Sequence, residues 1–255
     1  MMFRESRCTR CGACLEVCDQ DAVSWDGDAV TTDRGKCTLC GACVQACYAE
    51  AREIVGQEMT VAQVMAEIER DIPFYDESGG GVTFSGGEPL CQLDFLLALL
   101  RACKEKEIHT ALDTCGFAPW ETWDDIREHV DLFLYDLKLM DDAQHRKFTG
   151  ASNEAILGNL RALSQREHNI VLRVPIIPGI NDDAENIRQI GTFAAALPRL
   201  SRVDLLPYHH AGTEKYHRLD KVYGLPETRP PSDERMAEIA QILRGFGLHV
   251  KIVGG

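Results

Sequence analysis

Val82-Thr83-Phe84-Ser85-Gly86-Gly87-Glu88-Pro89 sets a β-branched and aromatic run directly before a glycine-rich polar loop. The run reads as a strand over 82–84, and apolar residues at helical spacing follow over 93–106. The same alternation continues down the chain. Strands are expected over 109–112, 132–135, 170–174, 203–206 and 249–253, with helices over 153–164, 184–197 and 233–246. Such alternation specifies an α/β fold with a parallel sheet, open or closed into a barrel. Upstream, Thr60 with Gln63 forms a capping-box start for a helix whose Val61, Val64, Met65 and Ile68 share one face.

In folds of this kind the loops leaving the C-terminal ends of strands carry the chemistry. Here those loops are polar: Ser85 to Pro89 after the first strand, Asp113-Thr114-Cys115-Gly116 after the second, and Asp136-Leu137-Lys138 after the third. Arg173 stands near the end of the fourth, and the fifth runs into Pro207-Tyr208-His209-His210. Gly86 and Gly87 let backbone approach a ligand, Glu88 and Asp113 accept hydrogen bonds from an ammonium, and Lys138 or Arg173 pairs with a carboxylate. Each feature alone has a plainer explanation, a turn or a surface ion pair. Their shared position at strand ends favours an amino-acid moiety as ligand.

Nearer the N-terminus, Cys8, Cys11, Cys14 and Cys18, then Cys37, Cys40, Cys43 and Cys47, repeat the spacing C-x2-C-x2-C-x3-C. In this pattern three close thiolates grip one 4Fe-4S cube and the fourth reaches the neighbouring one. One cluster therefore takes Cys8, Cys11, Cys14 and Cys47, and the other takes Cys37, Cys40, Cys43 and Cys18. Zinc wants a single tetrahedral set and would leave ligands over. A disulfide framework fits neither the odd total of 11 cysteines nor the absence of an export signal. Asp19 and Tyr48 stand where such runs often carry proline, which alters a turn but removes no ligand. Residues 25–33 read as a hairpin between the two runs, turning at Asp26-Gly27. The expected division is an iron–sulfur module over 1–55 and an α/β domain over 56–255, with no repeat beyond the doubled cysteine run.

The chain has 255 residues, 45% hydrophobic, enough for a substantial core and a small second domain. Its net charge of -13 argues against a sequence-independent grip on nucleic acid, and no apolar stretch is long enough to span a bilayer. Clusters that oxygen destroys suit a reducing cytoplasm. Cys91 and Cys103 read as small apolar residues in or beside a helix.

At Ser78-Gly79-Gly80-Gly81-Val82 followed by Thr83 to Pro89, the sequence resembles the radical SAM activating enzymes of glycyl radical enzymes. Leu112-Asp113-Thr114-Cys115-Gly116-Phe117, Asp136-Leu137-Lys138, Arg173 through Pro178-Gly179, and Leu205-Leu206-Pro207-Tyr208-His209 resemble further segments of that family, in order. The doubled cysteine run is similar to the ferredoxin-like insert of activators of lyases, decarboxylases and dehydratases, rather than to the shorter activator of pyruvate formate-lyase. The resemblance implies a partial (β/α)6 TIM-like barrel, a site-differentiated third cluster and S-adenosylmethionine. It places Ser85, Gly86, Gly87 and Glu88 at the methionine amino group with Asp113 nearby, Asp136 and Lys138 at the amino-acid end and His209 at the nucleoside side, with Leu137 and Arg173 also among the cofactor-binding residues. The implied reaction cleaves S-adenosylmethionine with one electron and takes a hydrogen atom from a glycine of the partner, a glycyl radical enzyme. Cofactor and cluster carry that chemistry, so no catalytic acid or base is assigned. A flavodoxin or ferredoxin is the implied electron donor, and a monomer the expected state.

The family holds its catalytic cluster with C-x3-C-x2-C, placed after a first barrel strand, and the sequence contains no such motif. The expectation is a barrel without that first strand, missing its N-terminus and inactive by itself, with the third cluster present only in a full-length form. A second reading is a non-catalytic iron–sulfur electron-transfer or regulatory protein derived from the family.

Overall fold

The computed structural model describes residues 1–219 and 221–254. By its contacts the chain divides into two units, Met1–Glu58 with His209–Glu227, and Met59–Tyr208 with Thr228–Gly255. The segment His209–Glu227 thus groups with the cysteine-bearing unit, where the sequence reading left it with the larger domain.

In the first unit, strands β1 (Met2–Phe3), β2 (Val23–Asp26), β3 (Ala29–Thr32) and β4 (Arg52–Glu53) form two antiparallel pairs, β1 with β4 and β2 with β3. The hairpin begins at Val23, two residues earlier than expected. Asp26 pairs with Ala29, so Gly27 and Asp28 make the two-residue turn and Asp26 belongs to the strand. Gly27 has φ 58, the left-handed conformation such a turn requires.

The repeat extends well beyond the cysteines. Cys37 stands 29 residues after Cys8, and the same offset relates Arg10 to Leu39, Gly12 to Gly41 and Asp21 to Glu50, all with positive φ. It also maps the pair Phe3 and Arg52 onto Thr32 and Val23, so each half donates one strand to each hairpin-like pair. One-turn helices, Ala13–Glu16 and Ala42–Gln45, stand at equivalent places.

The second unit is a six-stranded, all-parallel sheet of β5 (Gly81–Phe84), β6 (His109–Thr114), β7 (Leu132–Asp136), β8 (Ile170–Ile176), β9 (Leu200–Pro207) and β10 (Val250–Ile252). Neighbours follow chain order, and among the described residues β5 and β10 each pair with one strand, so the sheet they form is open with two edges. Leu112, Phe133, Tyr135, Leu172, Val174, Val203 and Leu205 point into the main core beneath helices Leu93–Glu105, Glu154–Gln165, Ala184–Ala195 and Asp233–Arg244. The capping box is made: Thr60 Oγ1 accepts from Gln63 N–H at 3.3 Å, and Gln63 Oε1 from Thr60 N–H at 2.8 Å. Helix Val61–Glu69 then lays Met65 and Ile68 against Leu99, Cys103 and Ile108 in a second core.

The opposite face of the sheet is charged. Because paired residues of a parallel sheet share a face, Asp136, Arg173, Asp204 and Lys251 form one row across β7, β8, β9 and β10, alternating in sign.

Candidate functional site

Two regions gather the chemistry, one in each unit. In the first unit Cys8, Cys11, Cys14 and Cys47 line one cavity, and Cys18, Cys37, Cys40 and Cys43 line a second. All 11 cysteines are free thiols. Among the described residues, no three potential ligands converge as they would on a single ion; the thiols ring two hollows instead, which suits a polynuclear cluster. Local backbone turns each run inward. Gly12 and Gly41 adopt φ 80 and 83 at the N-caps of the one-turn helices. Ala22 N–H and Ala51 N–H each donate to the sulfur four residues back, Cys18 and Cys47, at 3.3 Å. The first of these bonds holds the Cys18 thiol below its ordinary range.

In the second unit the strand order brings three loops together. Arg173 Nη1 lies 2.8 Å from Asp113 Oδ2, which also accepts from Ser85 Oγ at 3.0 Å. Arg173 Nε lies 3.4 Å from Asp136 Oδ1, and Lys138 Nζ 3.7 Å from Asp136 Oδ2. The Arg173–Asp136 approach is close enough for an ion pair but misaligned for a hydrogen bond, so Arg173 Nε and Asp136 Oδ1 are buried without a hydrogen-bond partner. Burial pushes the Asp136 carboxyl up, against the pull of Lys138 and Arg173. An unfilled donor beside an unfilled acceptor fits a zwitterionic amino-acid group. Open space borders Gly86 and Gly87, where a Cβ would meet nothing within 4 Å.

Glu88 is already engaged by the protein. Its carboxylate accepts from Thr114 Oγ1 and Cys115 N–H, both at 2.8 Å, and from Leu90 N–H at 3.3 Å. These bonds tie the loop after β5 to the end of β6, and the carboxylate keeps acceptor capacity beyond them. Cys115, beside it, is pushed up to about 11, first by burial and then by its bond to Glu88, so it stays a neutral thiol. Cys103 is buried and likewise pushed up to about 11. Cys91, expected among the apolar residues, is exposed in the short 3-10 turn Pro89–Gln92. Leu137 is buried under the rim and binds through its backbone, N–H to Arg173 C=O at 2.9 Å. His209 opens the segment that belongs to the first unit, and its Nδ1 accepts from Ala211 N–H at 3.3 Å.

Sequence reasoning missed the braces beneath the rim. Asn181, 1% exposed, donates to Lys138 C=O and Pro175 C=O and accepts from Ile177 N–H. Asn186 accepts from Met140 N–H, and Asn153 donates to Leu139 and Met140 C=O. Tyr135 donates its O–H to Ile156 C=O at 2.7 Å, and Asn159 donates to Gly116 C=O at 3.0 Å. Asp204 is 6% exposed and held by Arg202 through two bonds, at 2.8 and 3.1 Å. Its signal was visible as a charge within an apolar strand.

The matches to known proteins agree with this geometry. Residues 35–190 match the radical SAM superfamily, and residues 7–56 a 4Fe-4S dicluster domain. The chain is 44% identical to the trans-4-hydroxy-L-proline dehydratase activating enzyme of Clostridioides difficile, over 100% of this chain and 85% of that protein. It is 36% identical to the choline trimethylamine-lyase activating enzyme of Oleidesulfovibrio alaskensis, over 99% of this chain and 84% of the relative. Among solved structures, a domain of pyruvate-formate lyase-activating enzyme from Bacteroides vulgatus superposes with a TM-score of 0.59 at 38% identity, covering 69% of this chain and 99% of that one. Among the described residues no helix is long and apolar enough to cross a membrane. A radical SAM match over more than half of the chain, with relatives at 36–44% identity over nearly all of it, shows the family: the chain belongs to the radical SAM superfamily, among the activating enzymes of glycyl radical enzymes.

Proposed function

We propose that the rim at Ser85, Gly86, Gly87, Asp113, Asp136, Leu137, Lys138 and Arg173 binds S-adenosylmethionine, and that the eight cysteines hold two 4Fe-4S clusters in the groups that line the two cavities. The observation that carries the first assignment is the unfilled pair, Asp136 Oδ1 and Arg173 Nε, at the C-terminal edge of the sheet. Asp136 offers an acceptor to the ligand ammonium, Lys138 and Arg173 offer donors to its carboxylate, and Gly86 and Gly87 leave room for it. Glu88 positions the loop. His209 is assigned to the nucleoside side on the family resemblance alone.

When bound, clusters and S-adenosylmethionine supply one-electron chemistry that ends in a hydrogen atom leaving a glycine of the partner glycyl radical enzyme. The chain's residues orient the ligand and need move no proton. The functional division is an iron–sulfur module over 1–55 and the radical SAM domain over 56–255. A third cluster is assigned only to a form carrying C-x3-C-x2-C. A flavodoxin or ferredoxin in the cytoplasm serves as donor, and the activator works as a monomer docking on its larger partner.

Anaerobic reconstitution of the full 255-residue chain should give about eight irons, and calorimetry should show S-adenosylmethionine binding that R173M weakens. Fewer than about six irons removes the cluster assignment; binding indifferent to R173M removes the rim assignment.

A further inference from the structure

The two cysteine cavities are lined by largely equivalent residues of a repeated unit, with two differences in charge: the exposed Arg10, where the repeat has Leu39, and the buried Arg52, where it has Val23. Val23 borders the cavity of Cys18, Cys37, Cys40 and Cys43, and Arg52, 29 residues later, borders the cavity of Cys8, Cys11, Cys14 and Cys47. Both follow their nearest cysteine by five residues, and they occupy matching strand pairs, Val23 opposite Thr32 and Arg52 opposite Phe3.

Arg52 is 2% exposed. A guanidinium stays charged under all ordinary conditions, and a buried charge is costly without a partner of opposite sign. Here its compensation is thin. Nη1 donates to Thr32 Oγ1 at 2.9 Å, and the guanidinium lies 5.3 Å from the centre of the Phe3 ring. Nε and Nη2 have no hydrogen-bond partner, and no carboxylate pairs with the group among the described residues. The side chain is thus a buried cation awaiting an anion, beside a hollow ringed by four thiols. Its reach extends to Cys43 of the other cavity, whose thiol burial pushes up and Arg52 pulls down.

We propose that Arg52 tunes the electron-transfer unit: its buried charge raises the reduction potential of the cluster held by Cys8, Cys11, Cys14 and Cys47, whose cavity it lines, above that of the neighbouring cluster. The inference rests on the cluster assignment given above. Net charge, hydrogen bonds to sulfur and exposure are the levers that set such potentials, and reduction adds negative charge that a nearby cation stabilises. In a low-dielectric pocket with no competing carboxylate, that stabilisation is little screened. Val23, at the matching place beside the other cavity, supplies no charge, and that side feels Arg52 only through Cys43. Arg52 is the buried one of the two charge differences between halves whose backbone is matched, and so the less screened.

The test is a redox titration of the reconstituted 255-residue chain, followed by electron paramagnetic resonance. In R52Q one midpoint falls by about the 59 mV that marks a tenfold change in a one-electron couple, the other moves less, and R52K keeps both. Iron content is measured on the same samples, so a wild type short of iron speaks against the cluster assignment and not against Arg52. With full iron in R52Q, two unchanged midpoints, or two that fall equally, overturn the proposal. Should R52Q lose iron, V23R carries the test. It raises the second midpoint if a cation at this position governs potential, and an unmoved pair of midpoints overturns the idea.

Discussion

Arg173 Nη1 sits 2.8 Å from Asp113 Oδ2 and so ties the middle of β8 to the end of β6 across the intervening β7. The contact spans two strand spacings, and the residue between them in the sheet contributes Asp136 to the same guanidinium. Two carboxylates therefore share one cation, and the position of each depends on it.

R173M should weaken S-adenosylmethionine binding by about 10- to 100-fold, the worth of one charge-assisted hydrogen bond of roughly 1.5–3 kcal/mol. It also leaves Asp113 and Asp136 facing each other without their cation. The variant should lose stability as pH rises above the carboxylate range, which thermal melts at pH 5 and pH 8 would register. Equal melting temperatures at the two values would contradict the shared-cation arrangement.

Asp136 predicts a pH dependence of its own. Burial raises its folded-state pKa above the ordinary carboxylate value, so the native chain binds this proton more tightly than the unfolded chain. Stability from this group is present below the unfolded value and is lost as pH rises through the raised folded one. Asn at 136 removes that loss. D136N should melt higher than wild type at pH 7, match it at low pH, and bind S-adenosylmethionine at least about tenfold more weakly.

Gly116 is held at φ 79 directly over Tyr135, and a Cβ there would overlap the phenol oxygen and its ring carbon. Alanine should cost about 2–4 kcal/mol, combining left-handed strain with overpacking. Denaturant midpoints measure it. Adding Y135F should not restore stability, since the ring carbon remains in the way.

Asn181 holds three backbone groups that have no water to turn to. N181L should destabilise the chain by about 3 kcal/mol and loosen the Lys138 loop. Faster hydrogen exchange at residues 137–141, with the β6 loop unchanged, would show the effect to be local.

Much of this architecture was legible in advance because it is written in short spacings. The six strands stand where β-branched and apolar runs placed them, most extended by a residue or two, β9 by three at its start and one at its end, and β10 shorter by one at each end, and the Thr60–Gln63 cap is local by nature. The rim residues were found because a polar loop after an apolar strand is a local signal. The braces were not. Asn181 reaches Lys138 across 43 residues, and Asn159 reaches Gly116 across the same distance, and no pattern in the neighbourhood of either asparagine marks it as buried. The bonds that Glu88 makes to the protein were hidden too, because its partners, Thr114 and Cys115, lie in a different loop.

The cysteine spacing and the alternation of strand and helix were determined by the sequence alone, since each is set by contacts within a few residues of itself. Which side chains are spent on the protein and which stay open to a ligand was decided only by the sheet order, which sets β6, β7 and β8 side by side. The same holds for Arg52 and Val23. Their equivalence and their difference in charge become physical only once two antiparallel strand pairs carry them to matching cavities, because burial, unlike spacing, is a property of the folded whole.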